Sequence, residues 1–280
     1  MNMQGQRIFI ILILLNLVCT FSSVSNNSDN NPHFNSITGP KQFYKHAMNQ
    51  KIVSDKVRGH YYHLMYGMFL LPLLAHKHSH RVSFKMLEIG LGCDMQHGVG
   101  ASLALWRDLL KPSDKLWEAE YNEACITKYI AKYRADIPQN INFLVGDQSN
   151  NQTLLEWVDK VGKNNVDIII DDGSHCNRHI LYSFSILFEQ ALAPGGLYFI
   201  EDMQVGRHSS HQANPYSCSV EFKNDTPMID IINGWNSQLM GDLWYKKFTR
   251  AIPRGIKWIF CQAEACVIAK CGVNDGAKCS

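Results

Sequence analysis

The sequence predicts a doubly wound, mostly parallel α/β sheet, and three observations predict it. Short apolar runs alternate with amphipathic stretches of helical spacing between residues 84 and 201. Such alternation is the pattern of parallel strands joined by helices on both faces of one sheet. One of the runs, residues 166–170, is apolar almost throughout, as a strand covered on both faces must be. The composition is that of an ordinary globular chain: 280 residues, 46% hydrophobic and 19% charged. This excludes a collagen, a low-complexity chain and a multi-span membrane protein. Lys+Arg of 27 against Asp+Glu of 25 leaves a net charge of +2 with no basic stripe, so nucleic acid is not an expected partner.

In chain order, the first element is a leader. Arg7 precedes an apolar run at residues 8–15, apolar character continues to Phe21, and small residues follow at Ser22, Ser23 and Ser25. A short apolar core behind a positive charge is expected to be a signal peptide or an uncleaved signal anchor over residues 1–25. It is short for a full membrane span, which takes about 20 apolar residues. Residues 26–42 read as a polar linker and residues 43–80 as a helical extension ending in the aromatic run HYYHLMYGMFLLPLL. The remaining residues, 81–280, form the α/β domain. Its strands are expected at 84–89, 115–120, 141–146, 166–171 and 197–201, with helices at 101–110, 122–134, 153–161 and 178–192. A polar insertion at 204–227 precedes a helix at 228–248 and two last strands at 256–261 and 265–269.

Either reading of the leader sends the chain into an oxidising lumen. Without Cys19, eight cysteines remain: Cys93, Cys125, Cys176, Cys218, Cys261, Cys266, Cys271 and Cys279. An even number is compatible with disulfides, whose pairing spacing alone does not give. With no CxxC pair, a structural zinc site is not expected. Sequons begin at Asn26, Asn151 and Asn224 and would be usable in such a compartment.

In an open parallel sheet, ligands bind beyond the carboxyl ends of the strands. The first strand ends in Glu88-Ile89-Gly90-Leu91-Gly92, the second in Glu118-Ala119-Glu120 and the third in Gly146-Asp147. The glycines let a ligand approach the backbone, and an acid on the second strand suits ribose hydroxyls. The fourth strand ends in Asp171-Asp172-Gly173-Ser174-His175 and the fifth in Glu201-Asp202. Neighbouring strands lie about 5 Å apart, so Asp172, Glu201 and Asp202 are expected to converge. Crowded carboxylates repel, and a hard divalent cation such as Mg²⁺ neutralises them through oxygen ligands. The plainer alternative is that Asp172 or Ser174 caps the helix that follows and that Glu201 and Asp202 are solvated.

LEIGLG, EAEY, VGDQ, VDIIIDDGSH and LAPGGLYFIED together resemble the successive motifs of class I S-adenosylmethionine-dependent methyltransferases over residues 86–202. The resemblance implies a seven-stranded Rossmann-like methyltransferase fold. It implies cofactor contacts from Glu88, Gly90, Gly92, Ser102, Glu120, Asp147 and Asp171. The acidic constellation is most similar to the metal-dependent macrolide sugar O-methyltransferases, as are Ser54-Asp55-Lys56…His60…Tyr62 and Gly100-Ala101-Ser102-Leu103…Trp106. That likeness implies Asp172, Glu201 and Asp202 as ligands of the metal and His175 as the catalytic base. The function expected from it is O-methylation of a sugar or glycan hydroxyl in the secretory pathway. The alternatives are a secreted phenol or polyketide as acceptor, or a binding protein that retains the fold without activity. Membrane contact is expected only through an N-terminal anchor.

Overall fold

A computed structural model describes residues 38–93, 95, 98–212, 218, 225–241 and 250–279. The expected leader, the expected linker up to residue 37, the sequon asparagines Asn26 and Asn224, and the end of the helix expected to reach residue 248 lie outside the described residues. Helices α1 (Thr38–Met48) and α2 (Asp55–Arg58) precede a longer helix, α3. It starts at His63–Met65, widens into a π-helical stretch at Tyr66–Leu70 and continues as Leu71–Ser79. Alternation then gives β1 (Lys85–Ile89), α4 (Ala101–Leu109), β2 (Lys115–Glu120), α5 (Glu123–Tyr133), β3 (Ile141–Val145), α6 (Asn151–Val161), β4 (Val166–Asp171), α7 (Asn177–Ser183) and β5 (Leu192–Ile200). The chain closes with a short α8 (Ser209–Gln212), α9 (Met228–Leu239), β6 (Ile256–Cys261) and β7 (Cys266–Lys270).

The strands form one seven-stranded sheet in the order β3-β2-β1-β4-β5-β7-β6. The first five are parallel and β7 runs antiparallel to β5, as expected of a doubly wound sheet with a terminal hairpin. The order reverses between β1 and β4, and a cleft opens there. Asn122 and Asn150 start α5 and α6 by accepting backbone N–H groups of the first turn, which explains why asparagines stand at both strand-to-helix turns.

Side chains alternate across each strand, and the two faces bury different layers. Leu87, Ile169 and Ile200 pack with α6, α7 and α9 on one face. Met86, Ile168, Ile170 and Phe199 pack on the other with Phe43, Tyr62, Tyr66 and Trp106. The N-terminal helices therefore complete the domain's own core. They begin at Thr38, five residues earlier than the pattern indicates, with Pro40 in the first turn, where a missing N–H is tolerated.

Four disulfides use all eight cysteines among the described residues: Cys93–Cys125, Cys176–Cys218, Cys261–Cys266 and Cys271–Cys279. Among the described residues, no helix is long and apolar enough to cross a membrane.

Helices α1 and α3 meet at Gly67, where a Cβ would lie 2.2 Å from the backbone nitrogen of Pro40. Gly67→Ala should therefore force the helices apart and cost about 1–3 kcal/mol. Equilibrium denaturation checks this, and an unchanged midpoint would contradict the close crossing.

Candidate active site

A cleft of about 450 Å³ lies along the carboxyl ends of the parallel strands. Of the residues singled out from sequence, Gly90, Gly92, Ser102, Glu120, Asp147, Asp172, His175 and Asp202 line it. Gly90 adopts φ +110°, and a Cβ there would lie 2.1 Å from the Asp172 carbonyl oxygen. Only glycine lets the loop after β1 pass so close to the end of β4. Glu120 stays at the cleft wall while accepting the backbone N–H groups of Leu91 at 3.2 Å and Asn122 at 2.9 Å. Ser102 donates to Glu88 at 2.9 Å.

Three residues are placed differently from expectation. Asp171 does not line the cleft; it is buried on the opposite face, accepting from Ser183, from Gln148 at 3.0 Å and from Tyr198 at 3.1 Å. Its place is structural because it shares the face of Ile169, which packs against α7. Burial raises its pKa, and those three hydrogen bonds oppose the rise. Glu88 and Glu201 are likewise buried below the cleft floor, on the face covered by the N-terminal helices.

What holds them there is Lys56, 1% exposed. Its ammonium donates to Glu201 and, at 2.6 Å, to Asp172 Oδ2, and lies 3.4 Å from Glu88. Tyr66 donates to the other oxygen of Glu201. Burial opposes the charge on Lys56, but Asp172, Glu201 and Glu88 outweigh it and hold the ammonium well above its usual pKa. Glu201 is raised by burial and by Asp172, against the pull of Lys56 and Tyr66. The cation that neutralises Glu201 is thus a lysine of this chain, and Glu201 stands apart from the group that faces the cleft.

That group is Asp172, His175 and Asp202, each offering one ligand atom, with all three atoms within 4.8 Å of one another. Each aspartate has one oxygen engaged. Asp172 gives Oδ2 to Lys56, and Asp202 gives Oδ1 to Tyr62 at 2.9 Å and Gln204 at 3.0 Å. Asp202 Oδ2 faces His175 Nε2 at 3.6 Å. Burial disfavours the charge on Asp202, yet His175, Gln204, His60 and Tyr62 outweigh it and keep the carboxyl below its usual pKa. The two carboxylate oxygens, already oriented, fit a hard divalent cation in charge and donor type, and the imidazole stands beside them. His175 and Asp202 both sit in left-handed backbone, at φ 55° and 52°. Such conformations in non-glycine residues cost roughly 1–3 kcal/mol and cluster at functional sites. Helix α7 starts without a side-chain cap, so neither Asp172 nor Ser174 serves as one.

Several residues at the site escaped the sequence reading. Gln148 accepts the Ser174 N–H at 2.8 Å and so shapes the turn before His175. His179 and His211 line the cleft, bonded to the Ser174 hydroxyl and carbonyl at 2.9 Å each. Lys56 and His60 stood in the resembling N-terminal segment, but nothing there assigned them contacts. The only signal for Gln148 was its place directly after Gly146-Asp147.

The sheet order, the glycine loop and the acids at successive strand ends define the class I methyltransferase fold. No family model matches the chain. The curated relatives it matches include proteins named as O-methyltransferases. One is the 8-demethyl-8-α-L-rhamnosyl tetracenomycin-C 2′-O-methyltransferase of Streptomyces olivaceus, 31% identical over 157 residues, covering 54% of this chain and 35% of the relative. Another is the mycinamicin VI 2″-O-methyltransferase of Micromonospora griseorubida, 33% identical over 141 residues, covering 48% and 31%. The chain thus spans about a third of the length of these relatives. Among solved structures, MycE methyltransferase with Mg, S-adenosylhomocysteine and mycinamycin VI matches at TM-score 0.52 and 25% identity, over 75% of this chain and 51% of that one. The resemblance read from the motifs is borne out.

Glu118 pairs in register with Glu88, and burial followed by the Glu88 charge raises its carboxyl well above the usual 4.5. A folded-state pKa raised in this way gives stability that is complete below the unfolded value and lost as pH rises through the folded one. Glu118→Gln should therefore lessen the fall in melting temperature as pH rises above the unfolded value of 4.5. An equally steep fall in the variant would show that Glu118 is not held neutral.

Proposed function

We propose that the chain is an S-adenosylmethionine-dependent, Mg²⁺-assisted O-methyltransferase acting on a sugar hydroxyl. The observation that carries the reading is the convergence of Asp172, His175 and Asp202 at the cleft that opens where the sheet order reverses. The names of the relatives support a sugar hydroxyl as acceptor, and the macrolide or polyketide glycosides in those names supply the first substrates to try.

When bound, S-adenosylmethionine supplies an electrophilic methyl group on a sulfonium, and Mg²⁺ lowers the pKa of an acceptor hydroxyl. Gly90, Gly92 and Glu120 would hold the cofactor, with Asp147 beside them on the same wall. Asp172 and Asp202 would hold the metal, each by its free oxygen. His175 would take the hydroxyl proton as the acceptor oxygen receives the methyl group, with S-adenosylhomocysteine as the other product. A histidine is suited to this step because its ordinary pKa lies near neutrality. Orientation of the acceptor against the methyl supplies much of the remaining acceleration.

We place the reaction in the secretory pathway. The leader pattern supports this, as do four disulfides that leave none of the eight cysteines reduced. Asn151 of the second sequon is exposed at the start of α6 and accessible to glycosylation. A cell-surface or secreted glycan is then the natural acceptor.

Incubating the full chain with labelled S-adenosylmethionine, Mg²⁺ and a panel of rhamnosides and glycans tests the activity. His175→Ala should lower turnover about 10²–10⁴-fold while S-adenosylhomocysteine still binds. Chelation should abolish turnover and added Mg²⁺ restore it. Full activity of the variant would remove His175 from the proposed role. For the compartment, maleimide labelling of protein from secretory-pathway expression should reach none of the eight cysteines before reduction. Labelling of several without reductant would contradict it.

A further inference from the structure

The last hairpin stands at the edge of the sheet beside β5, with its tip against the site. Its tip, residues 262–265, joins β6 to β7, and Cys261 and Cys266, which face each other in register, close it with a disulfide. Gln262 holds the start of α3 from both sides, donating to the Tyr61 carbonyl and accepting the Met65 N–H, each at 3.0 Å. Glu264, in left-handed backbone at φ 67°, accepts the Met203 N–H at its carbonyl at 2.8 Å. Its carboxylate meets His60 Nδ1 at 2.6 Å. The opposite ring nitrogen of His60 then lies 3.6 Å from Asp202 Oδ1. His60 also stacks on Tyr62, at 4.8 Å between ring centres, and Tyr62 bonds that same oxygen. The tip thus ties the segment bearing His60 and Tyr62 to the segment bearing Asp202 and Met203.

We propose that Glu264 and His60 are a positioning pair for Asp202, set by the disulfide-closed hairpin. Glu264 fixes the ring of His60. Tyr62 holds Oδ1 of Asp202 by a hydrogen bond, His60 stands against the same oxygen at 3.6 Å, and the other oxygen is thereby aimed at the cleft. Neither member of the pair lines the cleft, so neither is a catalytic residue; both act through Asp202. The proposal rests on the reading of Asp202 as a metal ligand. Outer groups that orient a ligand commonly contribute 10–100-fold in metal affinity.

Mn²⁺ titration of the full chain, followed by electron paramagnetic resonance, reads the pair directly, with S-adenosylhomocysteine affinity measured in parallel. Glu264→Ala should weaken Mn²⁺ binding about tenfold and leave S-adenosylhomocysteine affinity unchanged. Glu264→Gln, whose amide oxygen still accepts the His60 N–H, should recover most of the loss. The double variant Cys261→Ser with Cys266→Ser should weaken Mn²⁺ in the same direction. Wild-type Mn²⁺ affinity in Glu264→Ala would overturn the pair's role while leaving the metal reading intact. A wild-type chain that binds S-adenosylhomocysteine but no Mn²⁺ would overturn both. Should Glu264→Ala fail to fold, His60→Asn takes its place, and unaltered Mn²⁺ affinity there overturns the proposal.

Discussion

The ammonium of Lys56 is the contact on which the rest of the site depends. It lies among Glu88 of β1, Asp172 beyond β4 and Glu201 beyond β5, three acids that the sheet order forces together. Removing one partner of such a buried arrangement leaves charge without compensation, at a cost of about 3–5 kcal/mol. The N-terminal helices are therefore more than a cover for one face of the sheet. They deliver the charge that lets β1, β4 and β5 end in acids, and Tyr66 on α3 completes the set by donating to Glu201.

With that charge in place, strain can be held at the neighbouring turn. His175 and Asp202 keep left-handed backbone because surrounding groups fix them on several sides. Gln212 donates to the His175 carbonyl at 3.0 Å, Gln148 accepts from Ser174, and the Tyr62 hydroxyl accepts the Asp202 N–H at 3.1 Å. These neighbours are neutral amides and a phenol, so they orient the turn without adding charge to it. Lys56 thus compensates the buried acids and holds Asp172, while neutral polar groups fix the backbone of the turns that carry His175 and Asp202.

Much of this was legible in the sequence, and the remainder was hidden for identifiable reasons. The almost wholly apolar run of β4 and the acids at strand ends foretold the sheet and the edge that carries the cleft. Alternation along the strands also bears on the residues placed differently. Asp171 shares parity with Ile169, while Glu88 and Glu201 share it with Met86 and Phe199. The first face packs on α7 and the second on the N-terminal helices, so none of the three side chains opens to the cleft. Which lysine neutralises Glu201 was not legible, because Lys56 stands 145 residues away and its helix is brought in only by tertiary packing. The same holds for Glu264, 204 residues from His60. Disulfide pairing was hidden likewise, since spacing does not reveal which loops meet.

Three of the four disulfides stand at loops on the edge of the sheet where the cleft opens, and their placement has a common physical sense. Cys93–Cys125 ties the loop after β1 to the first turn of α5, and Cys176–Cys218 ties the residue after His175 to the polar insertion. Cys261–Cys266 closes the hairpin tip. Loops that present ligand-facing groups cannot bury much apolar surface without filling the cleft, so packing alone fixes them weakly. A cross-link constrains them mainly through the unfolded chain, by about 4 kcal/mol for the separations of 32 and 42 residues and about 2 kcal/mol for the hairpin tip, and occupies none of the cleft. Covalent closure at the rim and buried charge compensation beneath it thus solve the same problem from two sides. The acids stay oriented toward an open cleft that the hydrophobic core could not line.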